Sequence, residues 1–235
     1  MSKGKLYIVP INISESHLER VLPDYNKAIV SELRYFVVEK IKTARQFLRK
    51  MDPEFPINDS YFFEQDKHHD YSFQLEILDD LKAGHDFGLL SESGYPAIAD
   101  PGSEIVAMAH FAGIEVIPLV GPSSILMALA ASGMNGNGFT FNGYLAKKEP
   151  ERSKEVKDVV KTIAKTSFAQ IFIETPYRNE TIFQDFLKHA PLEMKLCVAY
   201  DVTGPEEKII TKSIEDWKSN KFQFDKTPCV FVLGQ

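Results

Sequence analysis

The chain has 235 residues, room for one large or two small domains at about 150 residues each. Its 44% hydrophobic and 26% charged content is that of a globular chain with a real core, and its net charge of −6 excludes a general attraction for polyanions. No apolar run approaches the ~18 residues that cross a membrane. The opening MSKGKLYIVP lacks the apolar segment of a signal peptide, and Cys197 and Cys229 have neither metal spacing nor a disulfide framework, so a reducing cytoplasm is the expected location.

In chain order, KLYIVP and RYFVVE read as strands, and the helical IKTARQFLRKM follows. SYFFEQ is a third strand, and SFQLEILDDLKAG is an amphipathic helix closed by Gly84. DFGLLS is a strand, SEIVAMAHFAG a helix, IEVIPLV a strand and SSILMALAASG a helix. This alternation predicts a mainly parallel sheet with helices on both faces. From Gly133 the pattern shifts to the Gly- and Asn-rich SGMNGNGFTFNGYLAKKEPER, which marks a boundary or crossover. A helix over Ser153 to Thr166, the strand AQIFIE, the helix RNETIFQDFLKHA and the strands KLCVAYD and PCVFVLG complete a second α/β half with antiparallel pairing near its end. The fold class is therefore α/β in two domains, 1–120 with a mainly parallel sheet and 121–235 with a mixed one.

Ser91 to Asp100, between DFGLL and SEIVAMAHF, is longer than the usual two to six connecting residues. Gly94 and Pro96 shape it, Gly94 lets a ligand approach the backbone, and Asp100-Pro101 predicts an N-cap followed by the first helical residue. LVGPSSILMALAASG repeats the strand–turn–helix arrangement, with Ser123 and Ser124 at a helix N-terminus that can cap or bind a ligand. Both turns belong to one edge of a parallel sheet, where open α/β folds bind ligands. In FIETPYRN, Glu174 ends a strand and Arg178 opens a helix. Gly133, Gly136 and Gly138 follow a helix, which is the wrong context for a dinucleotide fingerprint. His68, His69 and Asp70 are consecutive and cannot face one metal from a helix. Ser31 to Lys50 holds six basic residues against two acidic ones, so any nucleic-acid surface has to be local.

LYIVP, SESGYPAIADPG, LVGPSS, GYLAKKEPER and FIETPYRN occur in the order found in the tetrapyrrole methylase superfamily. The chain resembles most the branch that methylates a cytidine ribose 2′-hydroxyl of 16S, small-subunit ribosomal RNA. The resemblance implies two α/β domains with a cleft between them for S-adenosylmethionine, a homodimer, and no metal. By position it assigns Pro10, Gly94, Tyr95, Ile98, Ser123 and Ser124 to the cofactor from the first half, and Ile173, Glu174, Tyr200 and Pro228 from the second. A sulfonium donor needs the acceptor oxygen brought in line with its methyl, and a base near that hydroxyl adds to the rate. Glu39 is the candidate for such a group. Lys42, Arg45, Arg49 and Lys50, with Lys148 and Arg152 of the connector, are the expected RNA contacts.

The sequence departs from the branch in three places. Pro10-Ile11-Asn12-Ile13-Ser14 stands where Pro-Thr-Pro-Ile-Gly-Asn-Leu is usual, Glu39-Lys40-Ile41-Lys42 where Glu-Asp-Thr-Arg is usual, and Ala146 replaces a Pro. The altered segments are those expected near the acceptor. Methylation of a tetrapyrrole or other small molecule, and a non-catalytic RNA- or cofactor-binding relative, are the competing readings.

Overall fold

Five four-residue strands make the sheet of the first unit: β1 (Lys5–Ile8), β2 (Tyr35–Val38), β3 (Tyr61–Glu64), β4 (Phe87–Leu90) and β5 (Glu115–Pro118). Their order is β3-β2-β4-β1-β5 and every pairing is parallel. Parallel neighbours need crossovers, and these carry α1 (Asp24–Glu32), α2 (Ile41–Met51), α3 (Tyr71–Ala83) and α4 (Ser103–Phe111). Alternate residues of each strand point to opposite faces. Leu6, Ile8, Val37, Phe87 and Leu89 pack with Ile77, Leu81, Ile105 and Ala109 of α3 and α4. Tyr7, Phe36, Val38 and Leu90 pack with Val30, Ala44, Phe47 and Leu48 of α1 and α2. Both faces are covered, which is why the strands read as continuous apolar runs.

The second sheet comprises β6 (Phe139–Phe141), β7 (Ala169–Glu174), β8 (Lys195–Tyr200), β9 (Lys208–Ser213) and β10 (Cys229–Gly234), in the order β6-β7-β10-β8-β9. Only β6 and β7 run parallel; the other pairings are antiparallel. One face is covered by α5 (Ser124–Ser132), whose Ile125, Ala128 and Leu129 meet Ile171, Ala199 and Val232. The other is covered by α6 (Glu151–Thr166), α7 (Asn179–His189) and α8 (Ile214–Ser219), whose Val156, Ile163, Phe183, Phe186 and Trp217 meet Phe172, Val198 and Phe231.

The computed structural model describes residues 2–65, 71–220 and 222–235, and its two compact units meet in sequence at Pro122 and Ser123. His68, His69 and Asp70 lie outside the described residues. Among the described residues no helix is long and apolar enough to cross a membrane, and no group of His, Cys, Asp and Glu side chains is arranged to hold a metal ion.

Candidate functional site

In a parallel sheet the chain leaves every strand at one edge, so the segments after β1, β2, β4 and β5 emerge together. The segment after β4, Ser91 to Gly102, has an unusual backbone: φ is +67° at Gly94, +63° at Ala97, +63° at Ala99 and +124° at Gly102. The two alanines sit where a Cβ costs about 1–2 kcal/mol. Such strain persists only where the surroundings enforce it. Here Ile11 donates its N–H to the Gly94 carbonyl at 2.9 Å, Ser93 its hydroxyl to the Ile13 carbonyl at 3.2 Å, and Tyr95 its hydroxyl to the Leu119 carbonyl. Lys40 and Thr43, at the start of α2, both donate to Glu92, Thr43 at 3.0 Å. Pro10 rests directly on the backbone of Gly121, where an added Cβ would stand 2.2 Å from the proline Cγ. The segments after β1, β4 and β5 thus interlock into one ledge. Pro10 and Gly94 are buried in it, Tyr95 is half-buried, and Ile98 is 47% exposed.

Asp100 is not the helix cap that its sequence position suggests. Gly102 occupies the N-cap of α4, and the Asp100 carboxyl lies beside Ser91 and Glu39. The register explains the meeting: Val38 of β2 pairs with Leu90 of β4, so Glu39 and Ser91 follow side by side. Burial, then the charge of Glu39, pushes the Asp100 carboxyl up to about 6, against a hydrogen bond from Ser91 and with a smaller push from Glu92. One carboxylate oxygen of Glu39 is buried without a hydrogen-bond partner. Sequence reasoning read Asp100 as a helix cap and missed its place beside Glu39, because a loop with positive φ, not a helix start, sets its direction.

In the second unit Ser123 is the N-cap of α5, its hydroxyl accepting from the Leu126 N–H at 3.4 Å, and Ser124 is the first helical residue. Glu174 ends β7 almost fully buried, with Oε1 accepting from the Thr175 N–H at 2.8 Å and Oε2 3.4 Å from the Arg178 guanidinium. Arg178 donates to the carbonyls of Leu145 and Ala146, both at 3.0 Å, and so ties the connector to the helix start. Asn179, fully buried, donates to the Thr227 carbonyl at 2.8 Å and leaves its own Oδ1 without a partner. Ile173 is half-buried. Tyr200 ends β8 with its ring packed among Phe222 and Phe224 in the core. Pro228 is exposed, and its carbonyl accepts from the Asp201 N–H at 3.4 Å.

The expected RNA contacts divide into two groups. Lys42, Arg45, Arg49 and Lys50 are all exposed on α2 and Lys148 is exposed in the connector. Arg45 lies over the Phe62 ring at 5.1 Å, Arg49 donates to the Pro53 carbonyl and Lys50 to that of Ser16 at 2.9 Å. Arg152 belongs elsewhere. Its guanidinium pairs with Asp185 and Glu149 and donates to the Lys147 carbonyl, and its side chain is only 11% exposed. An arginine held this way fixes the connector onto α7 and is not free to meet a phosphate.

Residues 25–217 match the family model described as Tetrapyrrole (Corrin/Porphyrin) Methylases. The chain is similar to ribosomal RNA small subunit methyltransferase I of Vibrio cholerae, at 32% identity over 204 residues that cover 87% of this chain and 67% of that protein. It is similar also to the Synechocystis protein of the same name, at 33% over 140 residues covering 60% of this chain and 49% of that one. The chain therefore spans between half and two thirds of the length of these curated relatives. Among solved structures it resembles the methyltransferase CobJ, with a TM-score of 0.63, 18% identity and coverage of 99% of this chain and 94% of that one. Uroporphyrin III C-methyltransferase from Thermus thermophilus gives a TM-score of 0.57 at 14% identity, over 99% and 98% of the two chains. Those two likenesses concern the fold; the family rests on the match over residues 25–217, and the chain belongs to the tetrapyrrole (corrin/porphyrin) methylases.

Proposed function

We propose that this chain is a methyltransferase that uses S-adenosylmethionine to methylate a ribose 2′-hydroxyl of small-subunit ribosomal RNA, working in the cytoplasm as a homodimer. The observation that carries the reading is the interlocked ledge of the first unit. It presents an exposed apolar side chain at Ile98 and the exposed Ser93 around the buried turn at Gly94. A ledge of this kind fits a ligand with a flat apolar base and hydrogen-bonding sugar and amino-acid ends. Asn179 Oδ1, buried without a hydrogen-bond partner, suits an amino or hydroxyl donor of the same class of ligand. When bound, the sulfonium supplies an activated methyl with a good leaving group. The chain's own residues hold and orient: Pro10, Gly94, Tyr95 and Ile98 shape the ledge, and Glu39 stands beside it with Asp100 where a hydroxyl proton can be taken up.

The acceptor is assigned from the relatives, whose names specify small-subunit ribosomal RNA. Transfer of tritiated methyl from labelled S-adenosylmethionine decides the matter. Label in ribosomal RNA or small subunits supports the reading, label in a small-molecule extract replaces the acceptor, and label in neither, with cofactor bound, makes the chain a non-catalytic relative. Calorimetry without binding at millimolar cofactor refutes the cofactor assignment itself.

A further inference from the structure

The helix α6 carries a feature that the cofactor ledge does not use. Lys154, Lys157, Lys161 and Lys165 recur at intervals of three, four and four, which at 3.6 residues per turn places them on one face. That face is opposite Val156 and Ile163, both fully buried, and all four lysines are exposed. At 1.5 Å per residue the row extends about 16 Å along the axis in steps of about 4.5–6 Å, comparable with the interval between phosphates of an extended strand. Like charges four residues apart disfavour the helix that bears them, a cost that Asp158, between Lys154 and Lys161, offsets only in part.

The neighbouring acids only partly neutralise it. Residues 147–165 hold seven basic side chains against four acidic ones in a chain whose net charge is −6. Asp158 pairs with Lys161 at 2.8 Å. Glu155 accepts from the Ala146 N–H at 2.7 Å, and Glu149 accepts from Arg152 and from the Ser153 N–H. Among the described residues no ion pair engages Lys154, Lys157 or Lys165. At the end of α7 Lys188 joins them. Together with burial, the charges of Lys157 and Lys188 push the His189 imidazole down, and that ring hydrogen-bonds the Ser153 hydroxyl at 3.0 Å.

We propose that this face of α6, with Lys148 ahead of it and Lys188 beside it, is a track for the backbone of single-stranded RNA. The inference rests on the RNA-acceptor reading and names a surface for it. Flexible ammonium groups in a row bind phosphates without reading bases, and so position a strand whose sequence is read elsewhere. On α2, by contrast, Arg49 and Lys50 are tethered to carbonyls of their own unit. In an acidic protein a polyanion approaches along such a local positive strip or not at all.

The test uses the full chain, a fluorescein-labelled single-stranded RNA, and anisotropy titrations at rising potassium chloride. Each phosphate contact contributes about 0.7 to the slope of log affinity against log salt. The triple variant K157Q/K161Q/K165Q keeps good helix formers on α6 and should flatten that slope by about 2, with cofactor affinity by calorimetry unchanged. A salt-dependent wild type whose slope the triple variant retains overturns the track and leaves the RNA reading standing. A wild type that binds the RNA at no salt concentration overturns both.

Discussion

Replacing Asp100 by Asn should stabilise the protein at alkaline pH and do nothing in acid. Its carboxyl is pushed from 3.8 to about 6 by burial and by Glu39. At 1.36 kcal/mol per pKa unit that shift corresponds to at most about 3 kcal/mol, and screening at a half-buried site reduces it to about 1.5 kcal/mol. The folded pKa lies above the unfolded one, so the native state keeps a proton that the unfolded chain has already lost. The cost is therefore absent below about pH 4, builds between about pH 4 and 6, and is complete above about pH 7. The charges that set it are Glu39 after β2 and Glu92 in the same loop, the latter paired with Lys40. Urea unfolding followed by circular dichroism measures the effect. Asp100→Asn should raise the midpoint at pH 8 and leave it unchanged at pH 4. An equal gain at both values would mean that the change acts through packing, and a loss at pH 8 would mean that the carboxylate is stabilised where it lies.

Gly94→Ala places a Cβ at φ +67°, where the nearest atoms are 3.6 and 3.7 Å away, so its cost of about 1–2 kcal/mol is backbone strain alone; weaker cofactor binding in calorimetry with an intact circular dichroism spectrum is the expected result. Arg152→Ala leaves Asp185 buried and unpaired and should cost about 3 kcal/mol, read from the fluorescence of Trp217, the single tryptophan, which packs on Phe183 in the same unit. Sedimentation should give about twice the 26.6 kDa of one chain, and a mass of one chain well above micromolar concentration refutes the homodimer. Reversing Arg45 and Arg49 to Glu should weaken RNA binding and leave cofactor affinity unaltered; an unchanged rate of methylation at limiting ribosomal subunits would make the α2 face merely solvated.

Period and punctuation made most of the fold legible. IKTARQFLRKM is α2 to the residue, and the buried strands appear as apolar runs because sheets covered on both faces have no polar side to show. Two of the elements that escaped are polar. DYNKAIVSE forms α1 while burying only Asn26 and Val30, and KIITKS is an edge strand, β9, that stays half-exposed throughout. The ledge was readable as a long Gly- and Pro-containing loop before a helix. Its positive φ at Ala97 and Ala99 was not, nor were the ties of Glu92, Gly94 and Tyr95 to α2 and to the segments after β1 and β5, which no local pattern encodes. Arg152 misled for a related reason: a basic residue in a basic segment reads as a phosphate contact until the fold sets Asp185 beside it.

The segment Glu39-Lys40-Ile41-Lys42 departs from its branch most visibly, yet the structure shows it rebuilt, not vacated. Lys40 reaches across to Glu92 and Thr43 donates to the same carboxylate at 3.0 Å, so the start of α2 holds the loop after β4. Glu64, at the end of β3, accepts from the Ile41 N–H at 2.7 Å and satisfies the first turn that no capping side chain serves. The charge of Lys40 is thereby used on Glu92, and Glu39, the one acidic residue of the segment, keeps a buried oxygen free of hydrogen bonds next to Asp100. Replacing Lys40 by Ala should therefore loosen the loop and raise the cofactor dissociation constant in calorimetry, with Glu92 left to repel Asp100. Unchanged cofactor affinity in that variant would show that the ion pair is an exposed one of little worth and that the strained loop is held by β1 and β5 alone.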